Sequence, residues 1–343
     1  MSLTRKEFMM TLAAAGAGAA FGAAPDPDRK EIRGLMLFLG ENMWGNGQRD
    51  EKRMATDDAV WRRITDRMVE RGVNLLLVEI GEGVRLPSHP ELSIPQSWSA
   101  EKMQDEVRRL RKLGIEAIPK LNFSMGHNGW FTPYRQMPFS PEFYRVQEDL
   151  IRDAAEIFDH PRFFHIGYDE EDEGNQRKYD VTIVRRGEAW WRDLLKLIGF
   201  VEKHGMRPWM WSDYGWNHDD LVARCPKSVV MSNWWYGRGD TLDIDKTTDE
   251  HLKRRIRQFE DFDRAGFLQI PCGSNWMSPT NPRRLRGEAN ESMKVLVRHC
   301  REHVSSANLG GFLIAPWEPT TPKYEGHLLR AVDLLADAAG TNA

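Results

Sequence analysis

The sequence predicts one (β/α)8 barrel over residues 30–340, and three observations carry that expectation. Eight short apolar runs alternate with long amphipathic ones from Arg33 onward. They recur at a spacing of roughly 40 residues, the beat of repeated strand–helix units. The first run also lacks the glycine-rich phosphate loop that a doubly wound sheet would place there. It continues instead into Gly40-Glu-Asn-Met-Trp-Gly-Asn-Gly, with no helical pattern directly after it.

Each element follows from local pattern. Gly34–Gly40 is a buried strand built on Leu-Met-Leu-Phe-Leu, and Ala55–Arg71 spaces apolar residues three and four apart before Gly72 stops it. Asn74–Ile80 is the second strand, and Ala100–Leu113 the second helix, ended by Gly114. Glu116–Asn122 and Phe163–Glu170 are the third and fourth strands, separated by the helix Pro141–Phe158. After the helix Arg186–His204 come strands Arg207–Asp213 and Ser228–Tyr236, joined by a stretch too short for a full helix. Helix Asp249–Ala265, strand Phe267–Asn275, helix Gly287–Ser305, strand Gly311–Glu318 and helix Gly326–Ala338 complete the set. All eight strands are short and apolar, as strands buried on both faces should be.

Composition narrows the function. The chain of 343 residues has 48 basic against 51 acidic residues, net −3, and no basic stripe that could neutralise nucleic-acid phosphates. Three cysteines (Cys225, Cys272, Cys300) cannot form a disulfide framework. Residues Met1–Ala24 join a short basic region to an Ala/Gly-rich, weakly apolar stretch, the layout of an export signal. Arg5-Lys6 followed by Phe8 is similar to a twin-arginine signal with one Arg replaced by Lys, so a periplasmic or extracellular location is expected. That apolar stretch is too short to span a membrane. Oligomeric state is left open.

In this fold the chemistry sits at the C-terminal ends of the strands. Those ends carry Glu41, Asn42 and Trp44; Glu79 and Glu82; Asn122, His127, Asn128 and Trp130; and His165, Tyr168, Asp169 and Glu170. The later strands add Trp211, Asp213 and Trp216; Trp234, Trp235 and Tyr236; Trp276; and Trp317 with Glu318. Eight of the 13 Trp fall in this set. Flat rings with acids, amides and His around one cavity suit a sugar, whose apolar ring faces stack while its hydroxyls are bonded. A carbohydrate partner is therefore expected.

The pair Asp169-Glu170 is the sharpest signal, because glycosidic cleavage needs one group to protonate the leaving oxygen and another to stabilise the anomeric carbon. Neighbours on a strictly extended strand point to opposite sides, so both can face the cavity only where the strand ends and turns. The five-acid run Asp169–Glu173 also has the composition of a solvated loop, and the acids lack the spacing of a specific zinc motif.

The segment Phe163-Phe-His-Ile-Gly-Tyr-Asp-Glu resembles the His-x-Gly-Gly-Asp-Glu signature of family-20 glycoside hydrolases, the β-N-acetylhexosaminidases. Gly114-Ile-Glu-Ala-Ile-Pro-Lys-Leu-Asn with Met125-Gly-His127 is similar to the family's third strand, Arg207-Pro-Trp-Met-Trp-Ser-Asp213 to its fifth, and Leu309-Gly-Gly through Trp317-Glu318 to its eighth. Arg33-Gly-Leu-Met-Leu resembles the opening of its first strand. The matches keep the family's order along nearly the whole barrel. The resemblance implies retaining hydrolysis assisted by the substrate's own 2-acetamido group, with Glu170 as acid/base and Asp169 orienting the acetamide. It further implies Trp211, Trp317 and Trp235 as walls, Tyr236 on the acetamide carbonyl, Glu318 and Asp213 on hydroxyls, and His127 and His165 in support. No metal and no organic cofactor is implied. The chain departs from the family at Phe38 and Glu41, where the sugar-gripping acid and arginine would stand, and at Tyr168, Met125 and the missing preceding domain. Two other readings stay open: a barrel glycosidase pairing Glu170 with Glu79, Asp213 or Glu318, and a glycan-binding barrel without catalysis.

Overall fold

The computed structural model describes residues 30–40, 54, 56–237, 242–276 and 292–340. The chain divides into two units, Met1–Lys30 and Glu31–Ala343, and the second holds the whole of the sheet. The expected export signal lies outside the described residues, as do Glu41, Asn42 and Trp44.

Eight parallel strands form the sheet: β1 Ile32–Phe38, β2 Leu75–Glu79, β3 Glu116–Lys120, β4 Phe163–His165, β5 Arg207–Trp211, β6 Val230–Ser232, β7 Cys272–Gly273 and β8 Gly311–Ile314. Their order is β6-β5-β4-β3-β2-β1-β8-β7. Backbone bonds join the two ends: Met231 N donates to Leu268 O at 2.9 Å, and Ile270 N to Met231 O at 3.0 Å. Parallel bridges Met231–Gln269 and Trp234–Cys272 complete the closure. The result is a (β/α)8 barrel.

The helices are α1 Asp58–Glu70, α2 Ala100–Lys112, α3 Pro141–Ile157, α4 Glu173–Gln176, α5 Glu188–Lys203, α6 Asp220–Arg224, α7 Glu250–Arg264, α8 Ser292–His303 and α9 Glu325–Ala339. Their starts are written in the sequence. Asp57, Ser99, Ser140 and Asp249 accept from first-turn peptide N–H groups, each worth about 1 kcal/mol. The expected gap between the fifth and sixth strands is filled by α6, five residues long. None of the described helices is long and apolar enough to cross a membrane.

Strand alternation divides the apolar residues into two layers. Met36, Phe38, Leu75, Leu77, Ile118, Trp209 and Trp211 belong to a cluster inside the barrel. Leu35, Leu37, Leu76, Val78, Phe164 and Met210 face the helices, in a cluster shared with Trp61, Trp190 and Trp191. The strands are shorter than the apolar runs that announced them: β4 stops at His165 rather than Glu170, and β6 at Ser232 rather than Tyr236. The apolar pattern outlasts the ladder because the chain bends away at the mouth while its side chains stay buried. Positive φ at Gly167, Tyr168, Glu170 and Trp317 marks these bends.

Candidate active site

The mouth is assembled around the turn that follows β4. Gly167, Tyr168 and Glu170 have φ of 71°, 74° and 51°. Side chains in this region cost on the order of 1–3 kcal/mol each, so surrounding bonds must hold them. A Cβ at Gly167 would lie 2.1 Å from Asn122 Oδ1, which makes glycine obligatory there. That same oxygen accepts from Ser124 N at 3.0 Å and from Tyr168 N at 3.2 Å. Asn122 Nδ2 donates to Asp169 Oδ1 at 2.8 Å. One residue on, the Glu170 peptide N–H donates to Asp213 Oδ2 at 2.9 Å.

The bend turns both adjacent carboxylates to one place. His127 Nε2 lies 3.0 Å from Glu170 Oε2 and 3.7 Å from Asp169 Oδ2. The two acids differ in exposure: the Asp169 side chain is 9% exposed, that of Glu170 34%. One is fixed in the wall, and the other reaches solvent. Burial penalises the His127 imidazolium, but Asp169 and the Glu170 hydrogen bond outweigh it and hold its pKa above the usual value. His127, Asp169 and Glu170 each offer a ligand atom within 4.8 Å of the others, so they are also the residues that could embrace a cation.

The remaining acids of the run are structural. Glu171 meets the buried guanidinium of Arg185, Nε to Oε2 at 3.1 Å with a second, closer contact, and accepts from Met125 N at 2.8 Å. Arg185 also lies 3.5 Å from Asp193. Asp172 caps α4 by accepting from Asn175 N, and Glu173 pairs with exposed Arg186. Only the first two acids face the mouth.

Beneath the pair, the β2–β4 side of the barrel is polar. Lys120, fully buried, donates to Glu79, whose carboxyl burial pushes above its usual pKa against the pull of Lys120. His165 lies against Trp209 and Trp211, with centroids 5.1 and 4.5 Å away. It accepts from Gly167 N through Nδ1 at 3.0 Å. Burial, then the nearby Lys120, keep its pKa well below normal, so it is neutral. Asp213 has an Oδ1 with no partner among the described residues. Burial first, then the Asp169 charge, push its carboxyl up to about 8. Both effects favour its protonated form.

The opposite side is aromatic. Trp211 and Trp317 lie with ring centroids 5.7 Å apart, and Phe38 is 6.2 Å from Trp317. Trp317 Nε1 donates to Tyr236 Oη at 3.0 Å, and Tyr236 stacks on Trp234 at 4.7 Å. The Trp211 indole N–H is buried with no partner among the described residues. Trp276 is half-buried against the same cluster, and Glu318 is buried beside Trp317.

Several expected site residues stand elsewhere. Tyr168 points outward, packed on Trp190 with the Arg185 guanidinium 4.6 Å from its ring, because inward Asp169 fixes the alternation. The bulk that departs from the family signature thus leaves the mouth free. Trp235 likewise belongs to the outer layer, since Val230 and Ser232 set an inward phase that selects Trp234 and Tyr236. Trp130 is also in the outer layer. His165 is fully buried below the mouth, a packing group under Trp211. Asp213 stays at the mouth, binding the Glu170 peptide through Oδ2 and leaving Oδ1 without a partner among the described residues. Glu41 lies outside the described residues. Sequence reasoning placed Asn122 and Trp234 at strand ends without giving either a role, and it missed Arg185; strict two-residue alternation would have chosen Trp234 over Trp235.

No family model matches this chain, and no curated protein matches its sequence. Solved structures do match in fold. A family-20 exo-β-N-acetylglucosaminidase from Vibrio harveyi, in complex with N-acetylglucosamine, is 12% identical with a TM-score of 0.56, over 92% of this chain and 55% of that one. A chitobiase from Flavobacterium johnsoniae is 15% identical with a TM-score of 0.60, over 90% and 48%. Dispersin B is 16% identical with a TM-score of 0.59, over 90% and 98%. This chain thus spans about half the length of the first two.

Proposed function

We propose that the chain is a glycoside hydrolase that cleaves a 2-acetamido sugar with retention, the substrate's acetamide acting as nucleophile. The observation that carries this is the convergence of Asp169 and Glu170 on His127 at the edge of an aromatic-walled mouth. The fold shared with N-acetylglucosaminidases and chitobiase supports the choice of sugar.

Asp169, fixed by Asn122, accepts the acetamide N–H and orients its carbonyl oxygen toward the anomeric carbon. As that C–O bond forms, the glycosidic C–O bond breaks and Glu170 gives its proton to the departing oxygen. Water then opens the cyclic intermediate, and Glu170 takes the water's proton. Trp211 and Trp317 hold the ring face and acetamide methyl, and the free Trp211 N–H and Asp213 Oδ1 offer bonds to the sugar. His127 bridges the two acids and keeps their separation fixed. Of the alternative carboxylates, Glu79 is held by Lys120, and Asp213 accepts from the Glu170 peptide through Oδ2 while leaving Oδ1 for the sugar.

Side-by-side hydrolysis of aryl N-acetylglucosaminide and aryl glucoside tests the reading. Cleavage of the first alone is expected. Glu170→Gln should lower turnover ~10²–10⁴-fold, the usual contribution of a general acid. Cleavage of the glucoside alone removes the acetamide mechanism, and full activity in Glu170→Gln removes Glu170. The leader-like Met1–Ala24 supports export of the enzyme; replacing Arg5 and Lys6 by Gln should then leave it in the cytoplasm on fractionation.

A further inference from the structure

We infer that Tyr179 is a positioning residue, which holds the imidazole of His127 against the acid pair by pinning the turn that carries it. The inference rests on the glycosidase reading above and names what keeps its His127 in place. His127 closes a tight turn, its peptide N–H donating to Ser124 O at 3.2 Å. Each of the four residues leading into it is tied from outside that turn. Phe123 O accepts from Arg185 Nη2 at 3.3 Å, and Ser124 N donates to Asn122 Oδ1 at 3.0 Å. Met125 N donates to Glu171 Oε1 at 2.8 Å, and Gly126 O accepts from the Tyr179 hydroxyl at 3.2 Å. Glu171, Tyr179 and Arg185 all belong to the connection between β4 and α5, which also carries Glu170.

Tyr179 makes the tie nearest to His127, and it is itself fixed. Its peptide N–H donates to Gln176 O at 2.9 Å, while Gln176 Oε1 accepts from Ile183 N at 2.7 Å, so the connection is folded on itself. The buried Tyr179 ring lies 3.7 Å from the Arg135 guanidinium. Arg135 Nε in turn donates to Asn128 Oδ1 at 3.2 Å. Tyr179 therefore reaches the residue before His127 directly and the residue after it through Arg135. The fit leaves no slack: a Cβ at Gly126 would stand 3.0 Å from Glu170 O, so the turn packs on the backbone of the acid itself. Any shift of the turn moves His127 Nε2 off Glu170 Oε2, 3.0 Å away. Misplacing a group at a reacting centre by about 1 Å can cost on the order of 10²-fold in rate.

Tyr179→Phe removes a single oxygen and keeps the ring against Arg135. On an aryl N-acetylglucosaminide, kcat should fall about fivefold to tenfold, the worth of one hydrogen bond, with KM unchanged. A double-mutant cycle with His127→Ala separates positioning from a general loosening of the fold. Where the imidazole is already gone, Tyr179→Phe should cost less than about twofold, because nothing remains for the turn to place. An equal loss in both backgrounds, a rise in KM alone, or an unchanged kcat in Tyr179→Phe overturns the positioning role and leaves the glycosidase reading intact. A wild-type enzyme inactive on the aryl substrate overturns that reading and the role with it.

Discussion

The two halves of the barrel mouth are built on different physics. From β2 to β4 the lining is Glu79, Lys120, Asn122, His127, His165 and Asp169, each buried. From β5 through β8 to β1 it is Trp211, Trp234, Tyr236, Trp317 and Phe38. Buried polar groups tolerate few arrangements, because an unmet donor or acceptor costs about 1–3 kcal/mol. Ring contacts tolerate many, because packing is non-directional. The polar half therefore fixes its side-chain atoms to within a hydrogen bond, while the aromatic half fixes only a shape.

The contrast can be broken or sharpened by substitution, beginning where the effect is largest. Arg185→Leu leaves Glu171 buried without its cation behind the turn that follows β4, which should cost about 3–5 kcal/mol of stability. Calorimetry or denaturant unfolding reads this, and an unshifted melting temperature would show that the ion pair does not hold the turn. Asn122→Ala frees Asp169 and the Tyr168 peptide without touching the aromatic half. A bond to a charged group is worth about 1.5–3 kcal/mol, so kcat should fall tenfold to a hundredfold with KM little changed. A rise in KM alone would assign Asn122 to binding.

Asp213 tests the seam between the halves. Burial and the Asp169 charge push its carboxyl up to about 8 in the fold, above the ordinary acid range it has once unfolded. Between those two values the native state binds more protons, so this group's stabilising contribution is full at low pH and is lost as pH rises toward 8. Asp213→Asn keeps an acceptor for the Glu170 N–H and should flatten the decline in melting temperature between pH 5 and 8, relative to wild type. A parallel decline in the variant would assign the pH dependence to other groups. The smallest effect belongs to the aromatic half. Trp234→Ala removes one ring from a stack whose partners remain. KM should rise about threefold to tenfold at constant kcat, within the worth of an aromatic contact.

The same contrast sets what the sequence could tell. Alternating apolar runs gave the barrel, its eight strands and its caps, because burial and capping are local and periodic. Asp169 and Glu170 stood out as adjacent acids on an apolar run. Their convergence did not, since it depends on Asn122 and Asp213, separated in sequence by more than forty residues from the peptides they hold. Arg185 was hidden for the same reason, its partner lying across a turn. The Trp count was read too generously. Alternation sends Trp235 outward, and tertiary packing claims Trp130, whose N–H caps Asn122 O at 3.0 Å.

The thinnest part of the sheet is β7, two residues long, and Trp317 Nε1 to Tyr236 Oη spans it from β8 to β6. Trp317 and Tyr236 therefore lace the barrel at the place where its ladder is sparsest. A sugar seated on them would tighten that lacing. Slower amide hydrogen exchange around Met231, Cys272 and Leu313 would then be a record of occupancy written in the scaffold, several residues below the bound ring.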